Sequence, residues 1–211
     1  MIIPRAVRRI KEKYDHKGGP HAHLFEPYTG DEVVSLDCET TSLDVKQGEI
    51  VSIGAVKIKG RKVLASDRLD IKLKPPKSLT GDSIKIHKIR ESDLEDGIDL
   101  EDALEQVLAF VGNRPILGYY VNYDVRMLDK YIRPQFGFGL PNKAVELSHV
   151  YHDIIKWRSV GGNIDLRFGM ISRHLDIPML ERHTAISDAL TVALMYVRLK
   201  FGDPPEVIDY V

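Results

Sequence analysis

The chain has 211 residues, 43% of them hydrophobic and 29% charged, with a formal net charge of −1. That length suits one domain with a real core, or one domain plus an extension, and the near-neutral charge excludes a globally basic nucleic-acid binder, leaving only a local patch. No apolar run approaches the roughly 18 residues of a membrane span, the basic start MIIPRAVRRIKEK lacks the apolar core of a secretory signal, and a single cysteine forms no internal disulfide, so the expected location is the cytoplasm.

Residues 1–30 stand apart as a basic N-terminal extension, with residues 31–211 as the main domain. Pro4–Tyr14 reads as a short basic helix. The stretch HKGGPHAHLFEPYTG follows, whose His21 and His23 form an HxH that reads as a surface loop.

Val33–Glu39 is the first expected strand, and it ends in two carboxylates. In a strand, residues i and i+2 share a face, so Asp37 and Glu39 are neighbours roughly 6–7 Å apart, while Cys38 points the other way. Two carboxylates this close repel unless a cation sits between them. A solvated strand end is the alternative for a lone DxE.

Ile50–Ile58 and Lys62–Leu73 give two further strands, the last stopped by Lys74-Pro75-Pro76, and the three are close enough in sequence to pair as an antiparallel meander. From Lys57 to Arg90 there are eleven Lys/Arg and three acids, a local charge of 11 − 3 = +8. This block is either a solvated edge strand or a phosphate-facing surface. From Glu91 to Glu105 there are eight acids and no base, read as the outer face of a helix.

Leu100, Leu104, Val107, Leu108 and Val111 recur at helical spacing, and Pro115–Tyr119 reads as a short buried strand. A helix is expected from Asp124 to Ile132, a strand near Ala144–Leu147, and helices over Val150–Trp157, Leu166–Leu175 and Ala185–Phe201. Three hairpin strands followed by alternating helices and strands predict a mixed sheet flanked by helices, an α/β domain.

Asp124 falls where a strand hands over to a helix, a position that dipole effects alone would explain. Ala185, Ala189 and Ala193 form an i+4 stripe of small residues that lets the last helix lie close against a sheet. Asp188 sits at the edge of that stripe, within reach of the sheet's end. His183, about 140° around an ideal helix from Asp188, shares a site with it only from the loop before the helix. Thr184 or His183 marks that boundary.

Four carboxylates at sheet or helix ends, without thiolates, favour a hard divalent cation, Mg²⁺ or Mn²⁺. Two such ions roughly 3.5–4 Å apart activate water and stabilise the leaving oxygen of a phosphodiester. On this reading Asp37 is the residue placed to bridge both.

These motifs resemble the DEDDh 3′–5′ exonucleases, the DnaQ-like superfamily of the proofreading epsilon subunit of DNA polymerase III. Leu36–Asp44, LDCETTSLD, is similar to the first family motif, DxETTGLD. Tyr123-Asp124 is similar to the end of the second, G-H-N-x-x-F-D. His183–Ala189, HTAISDA, matches the third, H-x-A-x-x-D-A. The resemblance runs from about Val33 to about Phe201. It implies a ribonuclease H-like fold with a mixed five-stranded sheet. It implies that Asp37, Glu39, Asp124 and Asp188 hold two divalent ions, with His183 as general base. A terminal nucleotide would leave as a 5′-monophosphate.

The resemblance also implies that the backbone around Thr40 and the side chain of Leu43 contact the terminal nucleotide. His87, in a segment similar to the family's IHGIT, and Asn122, inside the second motif, join them as substrate-binding candidates. Ser42 stands where the family has glycine, Tyr119-Tyr120 where it has His-Asn, and Lys88 and Arg90 where IHGIT has Gly and Thr. The chain stops soon after the last helix, without the long tail by which the epsilon subunit binds its polymerase. The expectation is therefore a freestanding exonuclease acting on single-stranded DNA or frayed 3′ ends, in proofreading or repair. An exoribonuclease of the same superfamily, like oligoribonuclease or RNase T, and a catalytically inactive nucleic-acid-binding module are the alternatives. The absence of G-x-G-x-x-G after the first strand argues against a dinucleotide site.

Overall fold

The computed structural model describes residues 5–156, 164–180 and 184–203. Its centre is a five-stranded sheet in the order β3-β2-β1-β4-β5. The strands are β1 (Glu32–Thr40), β2 (Ile50–Lys59), β3 (Lys62–Lys72), β4 (Ile116–Gly118) and β5 (Ala144–Glu146). β1, β2 and β3 form the antiparallel meander, whereas β4 pairs parallel to β1 and β5 parallel to β4, so the sheet is mixed as expected.

Alternation along β1 sorts its side chains onto two faces. Val34, Leu36 and Cys38 enter a core with helices α3 (Leu100–Val111) and α4 (Val121–Phe136). The opposite face of the sheet, with Val56, Ile58 and Leu117, packs against α5 (Leu147–Ile155), α6 (Phe168–His174) and α7 (Ala185–Phe201). Asp37 and Glu39 fall on this second face, at the end of the strand.

The stripe of small residues does what its spacing predicts. Ala185, Ala189 and Ala193 are buried, and a Cβ added at Gly54 of β2 would lie 2.2 Å from the carbonyl carbon of Ala185 and from the nitrogen of Ile186. Helix backbone therefore lies on sheet backbone, and only glycine fits between them. The Ser35 hydroxyl fastens the crossing by donating to the Ala189 carbonyl at 2.8 Å.

Several expectations need correction. The structure adds a helix that the sequence pattern does not predict, α2 (Gly81–His87), capped by Thr80 and Ser83. α4 begins at Val121 rather than Asp124, because the Glu146 carboxylate accepts from the backbone N–H groups of Tyr120 and Val121, at 3.1 and 3.0 Å. It runs on through Pro134, which sits in the last turn, and stops at Gly137 in the left-handed region. The same carboxylate accepts from Ser148 N–H, so α5 starts at Leu147 rather than Val150. The acidic block is not one helical face. Glu101, Asp102 and Glu105 lie on α3, whereas Glu91 and Asp93 lie in a short 3₁₀ turn and Glu95, Asp96 and Asp99 in the connection.

The N-terminal segment folds onto the domain. Helix α1 (Arg5–Asp15) buries Glu12, whose carboxylate accepts from the Arg133 guanidinium of α4 at 2.6 Å. His16 and Phe25 pack their rings against Phe138. His21 does the same, and His23 contacts the Pro20 carbonyl, so this HxH serves packing and turn structure.

Candidate active site

β1 and α7 together make the centre of the site. Asp37 and Glu39 reach it from the strand's end, Asp188 from the first turn of α7. One carboxylate oxygen from each of the three lies within 4.8 Å of the others. Asp124 approaches from α4 and is buried; its Oδ1 accepts from the Cys38 backbone N–H at 3.2 Å, which locks the start of α4 against β1.

The electrostatics follow from this crowding. Burial, then the charges of Asp124, Glu39 and Asp188, pushes the Asp37 carboxyl well above its ordinary range. Burial and Asp188 raise Glu39 to about 7. Asp124 is raised chiefly by burial, against the lowering pull of the Cys38 N–H. Among the described residues no Lys or Arg forms an ion pair with Asp37, Glu39 or Asp124. Such a cluster is stabilised by a bound cation. Oxygen ligands at roughly 2.0–2.6 Å from an ion sit up to about 5 Å apart, so the three donors fit a hard divalent ion shared between them. The incomplete cage leaves room for water and phosphate oxygens.

The loop after β1 is held from two sides. The Tyr123 hydroxyl contacts Thr40 Oγ1 at 2.6 Å and donates to the Ser42 carbonyl at 2.6 Å. Thr41 Oγ1 meets Ser78 Oγ at 2.7 Å, and the Glu49 carboxylate accepts from Ser78 N–H at 2.7 Å, tying this loop to the segment before α2. Leu43 is 87% exposed.

Thr184 is the N-cap of α7, its hydroxyl accepting from Ser187 N–H at 3.3 Å. His183, the proposed base, lies outside the described residues, and of His87 only the backbone, at the end of α2, is described. Asn122 is exposed and lies two residues before Asp124, about 200° around the helix, so it faces away from the carboxylates.

Reading motifs alone missed three contributors: Tyr123 as a loop clamp, Glu146 as the cap of α4, and Tyr120. Tyr120 adopts φ 60° and is 71% exposed beside the site. The signal for Tyr120 was present, since it replaces a family Asn, and Asn tolerates the left-handed region. Glu146 acts across 25 residues and left no local signal.

Residues 34–196 match the exonuclease family. A PolC-type DNA polymerase III from Thermotoga maritima is 28% identical over 165 residues, 78% of this chain but 12% of that protein. The DNA polymerase III epsilon subunit of Rickettsia felis is 26% identical over 172 residues, 80% of this chain and 74% of that protein. This chain thus spans about an eighth of the PolC-type relatives and about three quarters of the epsilon subunit. Among solved structures, Escherichia coli exonuclease I bound to single-stranded DNA superposes with a TM-score of 0.68 at 15% identity, over 83% of this chain and 42% of that one. Cell-death related nuclease 4 gives 0.65 at 15%, over 81% and 64%.

Proposed function

The chain belongs to the exonuclease family of the DnaQ-like superfamily, and on that premise we propose that it is a divalent-metal-dependent enzyme that removes nucleotides one at a time from the 3′ end of single-stranded DNA. The observation that carries this reading is the convergence of Asp37, Glu39 and Asp188 within 4.8 Å, with Asp124 fixed beside them. The four carboxylates would hold two ions, Mg²⁺ or Mn²⁺. When bound, these supply Lewis acidity toward the attacking water and the leaving 3′ oxygen.

The chain's own groups do the rest. His183, one residue before the α7 cap, takes a proton from water on an imidazole nitrogen. The water oxygen attacks the last phosphodiester phosphorus, the P–O3′ bond breaks, the 3′ oxygen takes a proton from solvent while His183 gives up its own to solvent, and a nucleoside 5′-monophosphate leaves. Thr40 and Leu43 line the entrance from the clamped loop. A DNA substrate is supported by the DNA polymerases among the relatives and by the single strand bound to exonuclease I. The same support favours 3′-end trimming of the proofreading or repair kind.

The test uses 5′-labelled single-stranded DNA and RNA with EDTA, Mg²⁺ or Mn²⁺. A DNA ladder shortening from the 3′ end, abolished by EDTA and blocked by a 3′-phosphate, is expected. Faster loss of RNA would move the chain to the exoribonucleases, and internal cuts in a circular strand would refute the polarity. His183→Ala should lower kcat by about 10²–10⁴-fold, the usual worth of a general base. Its thermal stability should stay near wild type, because Thr184 already caps α7. A near-wild-type kcat would remove His183 from the mechanism.

A further inference from the structure

Three depressions on the surface share lining residues, and the first reaches the loop after β1. The first, about 550 Å³, lies between α1 and α4 and opens at Val45, in the loop that follows the β1 carboxylates. It shares Asn122 with the second, about 380 Å³. The second shares Arg9, Asn142 and Lys143 with the third, about 660 Å³, which runs along α1 to Tyr28 and Gly30.

The lining of this trough is basic in a chain whose net charge is −1. Seven Lys/Arg face it against three carboxylates, and Glu12 also pairs with Arg133, which leaves a surplus of three. All three carboxylates are already engaged: Asp129 with Arg133, Glu146 with the start of α4, and Glu26 with Lys13. The positive charge is contributed from two elements, Arg8 and Arg9 from α1 and Arg126 and Lys130 from α4, with Lys143 between the halves. Arg126 is exposed and forms no ion pair among the described residues. Lys130 Nζ donates to the Gly48 carbonyl at 2.7 Å, which sets its charge at the mouth next to the clamped loop. Asn122, turned away from the carboxylates, stands at the junction of the first two depressions.

We propose that this trough is a track for the phosphate backbone of a single strand, and that α1 extends the substrate path beyond the nucleotides at the cleavage site. The inference rests on the exonuclease reading of the site and names what the N-terminal segment adds to it. A polyanion fits because the charge is spread along adjoining depressions, the first of which reaches Val45 in the loop after β1, as in grooves that follow a nucleic-acid backbone.

The test compares a tetranucleotide with a strand of about 15 nucleotides, within the roughly 4–16 nucleotides such grooves span. Binding is read by fluorescence anisotropy and turnover by product release, for wild type and for Arg8→Gln/Arg126→Gln/Lys143→Gln. Arg126→Gln alone serves as the check against misfolding, since that side chain is exposed. Each neutralised contact to a single strand should reduce the slope of log affinity against log salt by about 0.7. Three together reduce it by about 2, so wild type should lose about 20-fold more affinity for the long strand than the triple variant between roughly 50 and 200 mM salt. The tetranucleotide should show a smaller change.

Equal loss for both lengths, or an unchanged slope, overturns the track. Loss of binding to phosphatidylserine vesicles with long-strand affinity retained also overturns it, in favour of a membrane surface. The two readings fail separately. Wild-type protein that degrades the tetranucleotide but shows no length-dependent effect refutes the track alone. Protein that binds the long strand through these residues yet cleaves nothing refutes the exonuclease reading and supports the track.

Discussion

Glu39 carries the site's energetics in measurable form. Its carboxyl is raised from 4.5 to about 7 by burial and by Asp188. A carboxyl raised in the folded state adds stability that is full below the unfolded value and is lost as pH rises through the folded one. Metal-free protein should therefore lose melting temperature between about pH 4.5 and 7, and Glu39→Gln should flatten that loss. A divalent ion should restore stability, more at pH 8 than at pH 5, because binding needs the carboxylates ionised. Thermal denaturation in EDTA, with and without Mn²⁺, reads both effects. A metal-free protein that gains stability across this window would contradict the clustering. Tyr120 offers a second measurement. A non-glycine residue at φ 60° costs about 1–2 kcal/mol, less for Asn. Tyr120→Asn should therefore stabilise by about 1 kcal/mol in urea denaturation. No gain would mean that packing of the ring on Tyr119 compensates the strain.

Among the elements, α7 decides whether the site exists, because it carries Asp188 across the sheet. Its crossing depends on Gly54, where an added methyl would collide with helix backbone rather than with a movable side chain. Gly54→Ala should cost at least the roughly 1–3 kcal/mol of overpacking. It should also lower kcat, by moving Asp188 away from Asp37 and Glu39. Ser35→Ala, which removes only the hydroxyl bonded to Ala189, should cost about 1 kcal/mol and leave the crossing in place. Equal effects of the two on kcat would deny the crossing its role. The bounds of α7, Ala185–Phe201, were readable because its small stripe and its apolar residues lie within the element. The starts of α4 and α5 were not, since one carboxylate, Glu146, sets both and reaches α4 through the fold. α2 was missed because seven residues carry little periodicity and its Thr80/Ser83 cap departs from the usual Ser/Thr-x-x-Glu/Gln pattern.

The molecule as a whole divides what the sequence joins and joins what it divides. Residues 1–30 look separate in sequence, yet α1 is seated through Glu12, Arg133 and the rings around Phe138, contacts more than a hundred residues apart. The basic block from Lys57 to Arg90 looks continuous, yet the meander splits it. Glu32 pairs with Lys59 and Glu39 with Ser52, so the β2–β3 turn lies seven residues along β1 from Glu39. That is about 20 Å, at the far end of the sheet. Lys59, Arg61 and Lys62 belong to that end, and Lys59 is already paired with Glu32. Lys85, Lys88 and Arg90 follow Ser78, which is hydrogen-bonded to the loop after β1, so they lie on the side of the carboxylates. If phosphates pass this side, Lys85→Gln/Lys88→Gln/Arg90→Gln should raise KM. It should also flatten the salt dependence by about 0.7 per cation, roughly 2 in all. Lys59→Gln/Arg61→Gln/Lys62→Gln removes the same charge and should leave KM and the slope unchanged. Steady-state kinetics of both variants across a salt series separate the cases. Equal effects would mean that net charge alone governs binding, and no effect from either would leave both halves as soluble surface.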